Sequence, residues 1–438
     1  MKTRWREGNA VRLLENGEEY YPRAFETIRN ARRSVIVETF ILFEDPVGEQ
    51  LRRALIEAAD AGALVDLLVD GYGSPSFSAE FLGSLVEAGV RVHVFDPRRR
   101  LLGFRTNLFR RLHRKIVIVD ERVAYVGGIN FSEDHLADSG ADAKQDYAVE
   151  VTGPVVADIL RSSRALLSKK PENDPPPGDA AADGDACVAF IERDNRSHRH
   201  DIERHYREAI RNARKRIVIA NAYFLPGYRL LRELRNAARR GVSVRLIMQG
   251  QPDMPSVAAG TRSLYRYLLP AGVEVFEYCA RPFHGKVALV DDEWVTIGSS
   301  NLDPLSLWLN LEANIVARDR ALNKALHEKL QGLADGQCRP VGDEAMSAGR
   351  WFRPLLGVVL FHFLRYFPRF ARSFSAGEAS ILRVSRNSRE LAEDYPMPGS
   401  VAESPEAARR DEPAQEADQD TAPTTAVETD RHRQGQHA

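Results

Sequence analysis

The sequence predicts an α/β protein built from one α/β unit repeated in tandem. Three observations lead there. Short β-branched runs alternate with amphipathic helical segments, the order of these elements returns once after a Pro-, Gly- and Asp-rich break, and each copy closes on the same His-x-Lys-x4-Asp spacing.

In the first copy, residues 20–33 place Tyr21, Ala24, Phe25 and Ile28 at helical spacing and lead into a strand at 34–40. A helix around 49–61 is closed by Gly62 and followed by a strand at 64–69; a helix near 79–88 is closed by Gly89 and precedes 90–95. Alternation of this kind predicts a mostly parallel sheet covered on both faces. The order then repeats. Ile28-Arg29-Asn30-Ala31-Arg32-Arg33 returns as Ile210-Arg211-Asn212-Ala213-Arg214-Lys215, Gly62-Ala63-Leu64-Val65 as Gly241-Val242-Ser243-Val244, and Ala88-Gly89-Val90 as Ala271-Gly272-Val273. The expected organisation is a first half at 1–168, a linker at 169–186, a second half at 187–340, an amphipathic segment at 341–386 and an acidic tail at 387–438. That tail is rich in Glu, Asp, Ala, Pro and Thr and is expected to be disordered.

Each half carries one motif hairpin. His113, Lys115 and Asp120 are matched by His284, Lys286 and Asp291, with His and Asp seven residues apart in both (120 − 113 and 291 − 284). Asn130 and Asn301 each lie seventeen residues beyond their histidine (130 − 113 and 301 − 284). The runs 116–119 and 287–290 are strand formers, so His and Lys, two apart, point to one side. Asp120-Glu121-Arg122 and Asp291-Asp292-Glu293 carry turn chemistry; the returning strands 123–126 and 294–297 end in Gly127-Gly128 and Gly298-Ser299-Ser300, where a backbone can approach a ligand. Each hairpin therefore delivers an imidazole, an ammonium and an amide to one end of a sheet. A lone His or Asp is usually a satisfied structural residue; the paired spacing reverses those odds for the His, Lys and Asn sets.

One neutral imidazole can attack a phosphodiester phosphorus while the other protonates the departing alkoxide. Lys115, Lys286, Asn130, Asn301 and Ser299 can then serve the phosphoryl oxygens. No carboxylate or histidine cluster with metal-ligand spacing accompanies them, so neither a metal nor a cofactor is expected.

The duplicated H-x-K-x4-D motif resembles the phospholipase D superfamily. Residues 301–312, NLDPLSLWLNLE, are similar to bacterial cardiolipin synthases, in particular the shorter B type that lacks an N-terminal membrane-spanning region, over roughly 11–340. The resemblance implies a tandem phospholipase D-like α/β/α sandwich whose halves face each other across one shared site. It implies a phosphohistidine intermediate, with His113 as nucleophile and His284 as general acid and then base; the residues alone leave the reverse open. Glu312, 28 residues beyond His284, matches the family's acid after the second motif, and Asp146, 33 residues beyond His113, is its counterpart; these are the candidates to orient the imidazoles. Asp120 and Asp291 belong to the motif set, yet their turn positions look structural by the same analogy. Leu305 stands where many members carry an arginine between Asp303 and Ser306. The implied reaction transfers phosphatidyl from one phosphatidylglycerol to another, giving cardiolipin and glycerol. The alternatives are hydrolysis or headgroup exchange on other phospholipids and, less favoured, nucleic-acid phosphodiester cleavage.

Composition bears on these choices. The 61 basic and 62 acidic residues of the 438 nearly cancel, so no overall positive field supports a nucleic-acid partner. The three cysteines are isolated, as expected of reduced cytosolic thiols. No stretch reaches the ~18–20 apolar residues of a spanning helix, and the N-terminus has no apolar leader, so a soluble or peripheral protein is expected. Two segments outside the duplication mix arginines with large apolar side chains, 98–111 and 351–370. They are expected to meet an anionic membrane surface, with the protein peripheral on the cytoplasmic side of the inner membrane.

Overall fold

The computed structural model describes residues 3–74, 77–97, 100–101, 104–105, 110–168, 182–250, 255–342 and 380–384. Most of the expected linker at 169–186, most of the basic stretch 98–111, the aromatic segment 351–370 and the tail from 387 lie outside the described residues.

The first half runs β1 (Arg6–Glu15), α1 (Asn16–Arg29), β2 (Ser34–Thr39), α2 (Pro46–Asp60), β3 (Leu64–Asp70), α3 (Ala79–Glu87), β4 (Arg91–Phe95), a small hairpin of β5 (Arg100–Leu101) and β6 (Phe104–Arg105), then β7 (Ile116–Val119), β8 (Val123–Gly127), β9 (Tyr147–Thr152) and α4 (Val156–Ser168). The second half repeats the order as β10 (Ala186–Arg193), α5 (Asp201–Asn212), β11 (Arg216–Asn221), α6 (Tyr228–Arg239), β12 (Ser243–Gln249), α7 (Pro255–Leu268), β13 (Val273–Tyr278), β14 (Lys286–Val290), β15 (Trp294–Gly298), α8 (Pro304–Trp308), β16 (Glu312–Arg318) and α9 (Arg320–Gly336). Two short strands follow, β17 (Cys338–Pro340) and β18 (Ile381–Arg383). Local chemistry sets the boundaries. Asp45 accepts from the amides of Val47 and Gly48 to start α2, with Pro46 at its first position, and Ser78 accepts from Phe81 to start α3.

Sixteen strands form one sheet in the order β17-β13-β12-β11-β14-β15-β16-β10-β1-β9-β8-β7-β2-β3-β4-β18. Read outward from the β1–β10 joint, the two halves mirror each other strand for strand. Only β2-β3-β4 and β11-β12-β13 run parallel; the motif hairpins and their neighbours are antiparallel. The expectation of a mostly parallel sheet is thus corrected to a mixed one. The tight turns at Asp120 and Asp291 send the chain straight back, and a turn of that length cannot make a parallel crossover.

Helices α1, α2 and α3 cover one face of the first half, burying Tyr21, Phe25, Ile28, Leu51 and Leu55; α5, α6 and α7 cover the second, burying Tyr206, Ile210, Leu230 and Leu234. The inner faces fold together, with β8 and β9 against β15 and β16 through Val126, Val149, Ile297 and Ile315, flanked by Ile159 and Leu160 of α4 and Leu326 and Leu330 of α9. This shared core holds the ends of both hairpins together.

Asp120 and Asp291 sit at the other end of those hairpins. Lys115 and Asp120 are five residues apart, about 16 Å along an extended strand. Asp120 accepts from the amides of Arg32, Arg33 and Ser34, and Asp291 from those of Arg214, Lys215 and Arg216, which bolts each hairpin to the start of its neighbouring strand. Both have left-handed backbone, φ 51° and 52°, a conformation Asp tolerates. Their grouping with the catalytic residues is corrected accordingly: their carboxylates are consumed by backbone amides away from the histidines. Asp120→Ala or Asp291→Ala is expected to cost about 1–3 kcal/mol in urea unfolding, while the folded fraction turns over substrate at the parental rate. A large loss of turnover without loss of stability would contradict this.

Candidate active site

The histidines are positioned by the opposite half. The amide of His113 donates to the carbonyl of Leu311 (2.9 Å), and the amide of Leu311 returns to Arg111 (2.9 Å). Reciprocally, the amides of His284 (2.8 Å) and Gly285 (3.0 Å) donate to the carbonyl of Gln145, whose own amide donates to Pro282 (2.9 Å). The side chains cross in the same way: His113 Nδ1 meets Glu312 Oε2 at 3.0 Å, and His284 Nδ1 meets Asp146 Oδ2 at 2.6 Å. Both proposed orienting acids are therefore placed beside a histidine, each beside that of the other half. Counting residues within one half could not reveal this.

Behind each histidine the strand end supplies one more acceptor for the preceding amide. Asp70, at the end of β3, accepts from Leu112 (2.6 Å), and Gln249, at the end of β12, accepts from Phe283 (2.9 Å). Lys115 Nζ donates to the carbonyl of His113 at 2.8 Å, and Lys286 Nζ to that of His284. Both lysines are essentially inaccessible, 2% and 0% exposed.

Burial dominates the electrostatics. It pulls Lys115 down to about 7 and Lys286 to about 8, against which Glu312 and Asp146 act to retain the charge. The imidazoles of His113 and His284 are held well below their ordinary value by burial and then by the lysines, so both rest neutral. Glu312 is pushed up to about 7, and Asp146 is also raised, in each case by burial. A neutral ring whose Nδ1–H faces an acid keeps Nε2 as its basic atom.

The residues assigned to phosphate are placed differently from one another. Asn130 Oδ1 accepts from the amide of Ile41 (3.2 Å), leaving Nδ2 without a protein partner among the described residues. Asn301 is buried and its Oδ1 has no partner among them. Ser299 is corrected: its hydroxyl donates to Glu312 Oε2 (2.5 Å) and accepts from the amide of Ala313 (3.0 Å), so it braces the acid rather than meeting a phosphate. Gly128 occupies the matching place in the first half, where a Cβ would stand 2.3 Å from Asp146 Oδ1; no side chain fits there.

One neighbour was invisible to spacing. His135, fully buried, lies five residues beyond Asn130 as Ser306 lies five beyond Asn301 (135 − 130 and 306 − 301). His135, Asp146 and His284 bring three possible metal-ligand atoms within 4.8 Å of one another. The amide of Asn130 donates into His135 Nε2 (3.3 Å), so the neutral ring carries its proton on Nδ1, 3.9 Å from Asp146 Oδ2. A metal on Nδ1 would require the opposite tautomer, so the trio does not fit a metal site, and His135 Nδ1 has no hydrogen-bond partner among the described residues. The run Asn130-Phe131-Ser132-Glu133-Asp134-His135 contains the only signal that could have flagged this ring, a histidine after a motif asparagine.

The family model described as cardiolipin synthase, phospholipase D-like domain, matches this chain twice, at residues 25–163 and 206–334. The chain is 53% identical over 380 residues to cardiolipin synthase B of Salmonella typhi, and 51% identical over 383 residues to cardiolipin synthase B of Escherichia coli K12; each match covers 84% of this chain and 91% of the relative. It is 36% identical over 317 residues to cardiolipin synthase A of Pseudomonas fluorescens, covering 71% of this chain and 65% of that protein. Among solved structures, phosphatidylserine synthase of Haemophilus influenzae superposes with TM-score 0.62 at 14% identity, covering 82% of this chain and 94% of the other, which speaks to the fold alone.

The crossed pairing makes a specific expectation. Asp146→Asn should perturb the ¹⁵N imidazole resonances of His284 and leave those of His113 in place, Glu312→Gln should do the converse, and each should lower turnover about 10–100-fold. Resonance changes confined to the histidine of the same half would contradict the crossing.

Proposed function

We propose that this chain, which belongs to the cardiolipin synthase family of phospholipase D-like proteins, is a phosphatidyltransferase that joins two phosphatidylglycerol molecules into cardiolipin and glycerol. The observation that carries this reading is the pair of neutral imidazoles, each fixed by an acid of the other half beside two buried lysines.

The steps follow from that arrangement. The phosphodiester monoanion of the donor brings negative charge to Lys115, Lys286 and the amides of Asn130 and Asn301, and restores the protonation that burial had suppressed at one imidazole. Nε2 of His113 attacks phosphorus; the N–P bond forms as the bond to the headgroup glycerol breaks, and His284 gives its proton to the leaving oxygen. The terminal hydroxyl of a second phosphatidylglycerol then enters. Its proton passes to His284, its oxygen bonds to phosphorus, and the N–P bond breaks. Charge at the phosphoryl group is carried throughout by side chains of this chain.

Purified protein on phosphatidylglycerol vesicles is expected to yield cardiolipin and glycerol in equal amounts. His113→Ala and His284→Ala are each expected to abolish both products while unfolding as the parent does. A labelled phosphatidyl group trapped on the protein should depend on His113. Phosphatidic acid as the sole lipid product would reject the transferase reading.

We further propose peripheral attachment to the cytoplasmic face of the inner membrane. Among the described residues no helix is long and apolar enough to cross a membrane. Support comes from the arginine- and aromatic-rich segments 98–111 and 351–370. Each fully desolvated large apolar side chain contributes about 1.5–3 kcal/mol, and each arginine near an anionic leaflet about 1 kcal/mol. Replacing Phe104, Phe109, Phe361 and Phe363 together by Ser should release the protein from anionic vesicles on sedimentation; unchanged binding would overturn this attachment.

A further inference from the structure

Joining two phospholipids requires two phosphates at one site, and the duplicated machinery accounts for one. His, Lys, Asn and acid occur once per half and converge on a single phosphorus. A second phosphodiester, belonging to the acceptor, needs a cation outside that set. If the halves were equivalent throughout, nothing would mark where it lies, so the departures from equivalence at the site are informative.

Two cations at the site depart from the repeat: Arg114, which stands where the second half has Gly285 and is paired with Glu38, and Arg111. The Arg111 guanidinium lies over the Tyr72 ring at 4.2 Å and the Phe40 ring at 5.6 Å. Phe40 in turn stands edge-on to His113 (5.1 Å between centroids) and beneath Lys115 Nζ (5.2 Å). One aromatic ring thus separates Arg111 from the reacting imidazole. The second half has no equivalent: Pro282 occupies the place two residues before His284, and Ala222 follows Asn221 where Phe40 follows Thr39. Near His284 the comparable cation, Lys144, is tied to Asp134 in an ion pair.

Arg111 forms no ion pair with any described carboxylate. Asp70 feels the charge of Arg111 without pairing with it, its oxygens accepting from the amides of Tyr72, Gly73 and Leu112. The guanidinium is half-buried, so its charge is partly desolvated and reaches His113, whose ring it helps keep neutral. A planar cation seated on aromatic faces is the usual recognition element for a phosphodiester oxyanion.

We propose that Arg111, seated on Tyr72 and Phe40, binds the phosphodiester of the acceptor phospholipid. This rests on the transferase reading above and adds to it a place for the second lipid. Both lipids hang from one leaflet, so the acceptor phosphate stays toward the mouth while its glycerol carries the hydroxyl inward to phosphorus. Arg111 is the last residue of the basic segment proposed to meet the membrane, which puts it where the acceptor headgroup would enter.

The test compares two acceptors in one reaction. Vesicles of labelled phosphatidylglycerol are incubated with ethanol, so that cardiolipin and phosphatidylethanol form from the same donor and the same covalent intermediate. Ethanol carries no phosphate. Arg111→Met is expected to lower the ratio of cardiolipin to phosphatidylethanol at least tenfold, and Arg111→Lys, which keeps the charge but loses the planar fork, to fall between that variant and the parent. The ratio is independent of how much protein is folded. An unchanged ratio in Arg111→Met, or both products falling together, would overturn the proposal and assign Arg111 to the donor or to the fold. A parent enzyme that makes phosphatidylethanol but no cardiolipin would overturn the reading that a second phosphatidylglycerol is the acceptor, and the acceptor subsite with it.

Discussion

The crossed clamp between the halves is the constraint on which the rest depends. Each histidine takes its backbone partner and its acid from the other half, so neither ring is oriented until the two inner sheet faces have come together. The shared apolar core of β8, β9, β15 and β16 supplies the area that makes this docking favourable. Register matters more than area here. Because side chains alternate along a strand, a slip by one residue in either hairpin would turn His and Lys away from the site together. The turn aspartates prevent this from the far end, fixing each hairpin to its neighbouring strand through three amides.

The interior that results is costly. Two lysines, two acids and two histidines are buried within a small volume, with the His284 ring at its edge, and the resting state keeps the imidazoles neutral while the carboxyls rise toward neutrality. Buried ionisable groups of this density seldom stabilise a fold. Here they set cations and hydrogen-bond donors around the two histidines, a lining complementary to an anion. The sheet edges offset part of this fragility. β17 covers β13 and β18 covers β4, so neither parallel run ends in an open, pairing-competent strand.

Much of this was legible in the sequence. Duplication, hairpins, helix order and the converging His, Lys and Asn sets all follow from local patterns repeated at fixed spacing. What was not legible is long-range. The sequence reading took alternating elements for a mostly parallel sheet, because periodicity reports strand and helix but not strand direction. It placed Ser299 with the phosphate and kept Asp120 and Asp291 in the motif set while reading their turn positions as structural, because a motif records which residues occur together and not which way each side chain faces. Strand β1 carries no clean alternation, since it lies at the joint and pairs with both halves, β9 on one side and β10 on the other. His135 and Arg111 stood outside every repeat, and residues without a counterpart leave no spacing to detect.

The mirror order about β1 and β10 has the geometry of an isologous interface, in which identical surfaces meet and each contact occurs twice. In a dimer of identical chains, any substitution would appear on both sides of the axis, and only the bound substrate could tell the two imidazoles apart. Carrying the two copies on one chain removes that obligation. Aspartate can stand behind one ring and glutamate behind the other, a glycine can face a serine across the axis, and a histidine can answer a serine. A reaction that must tell donor from acceptor, though both are the same molecule, finds in such a broken axis a difference that exists before either lipid binds.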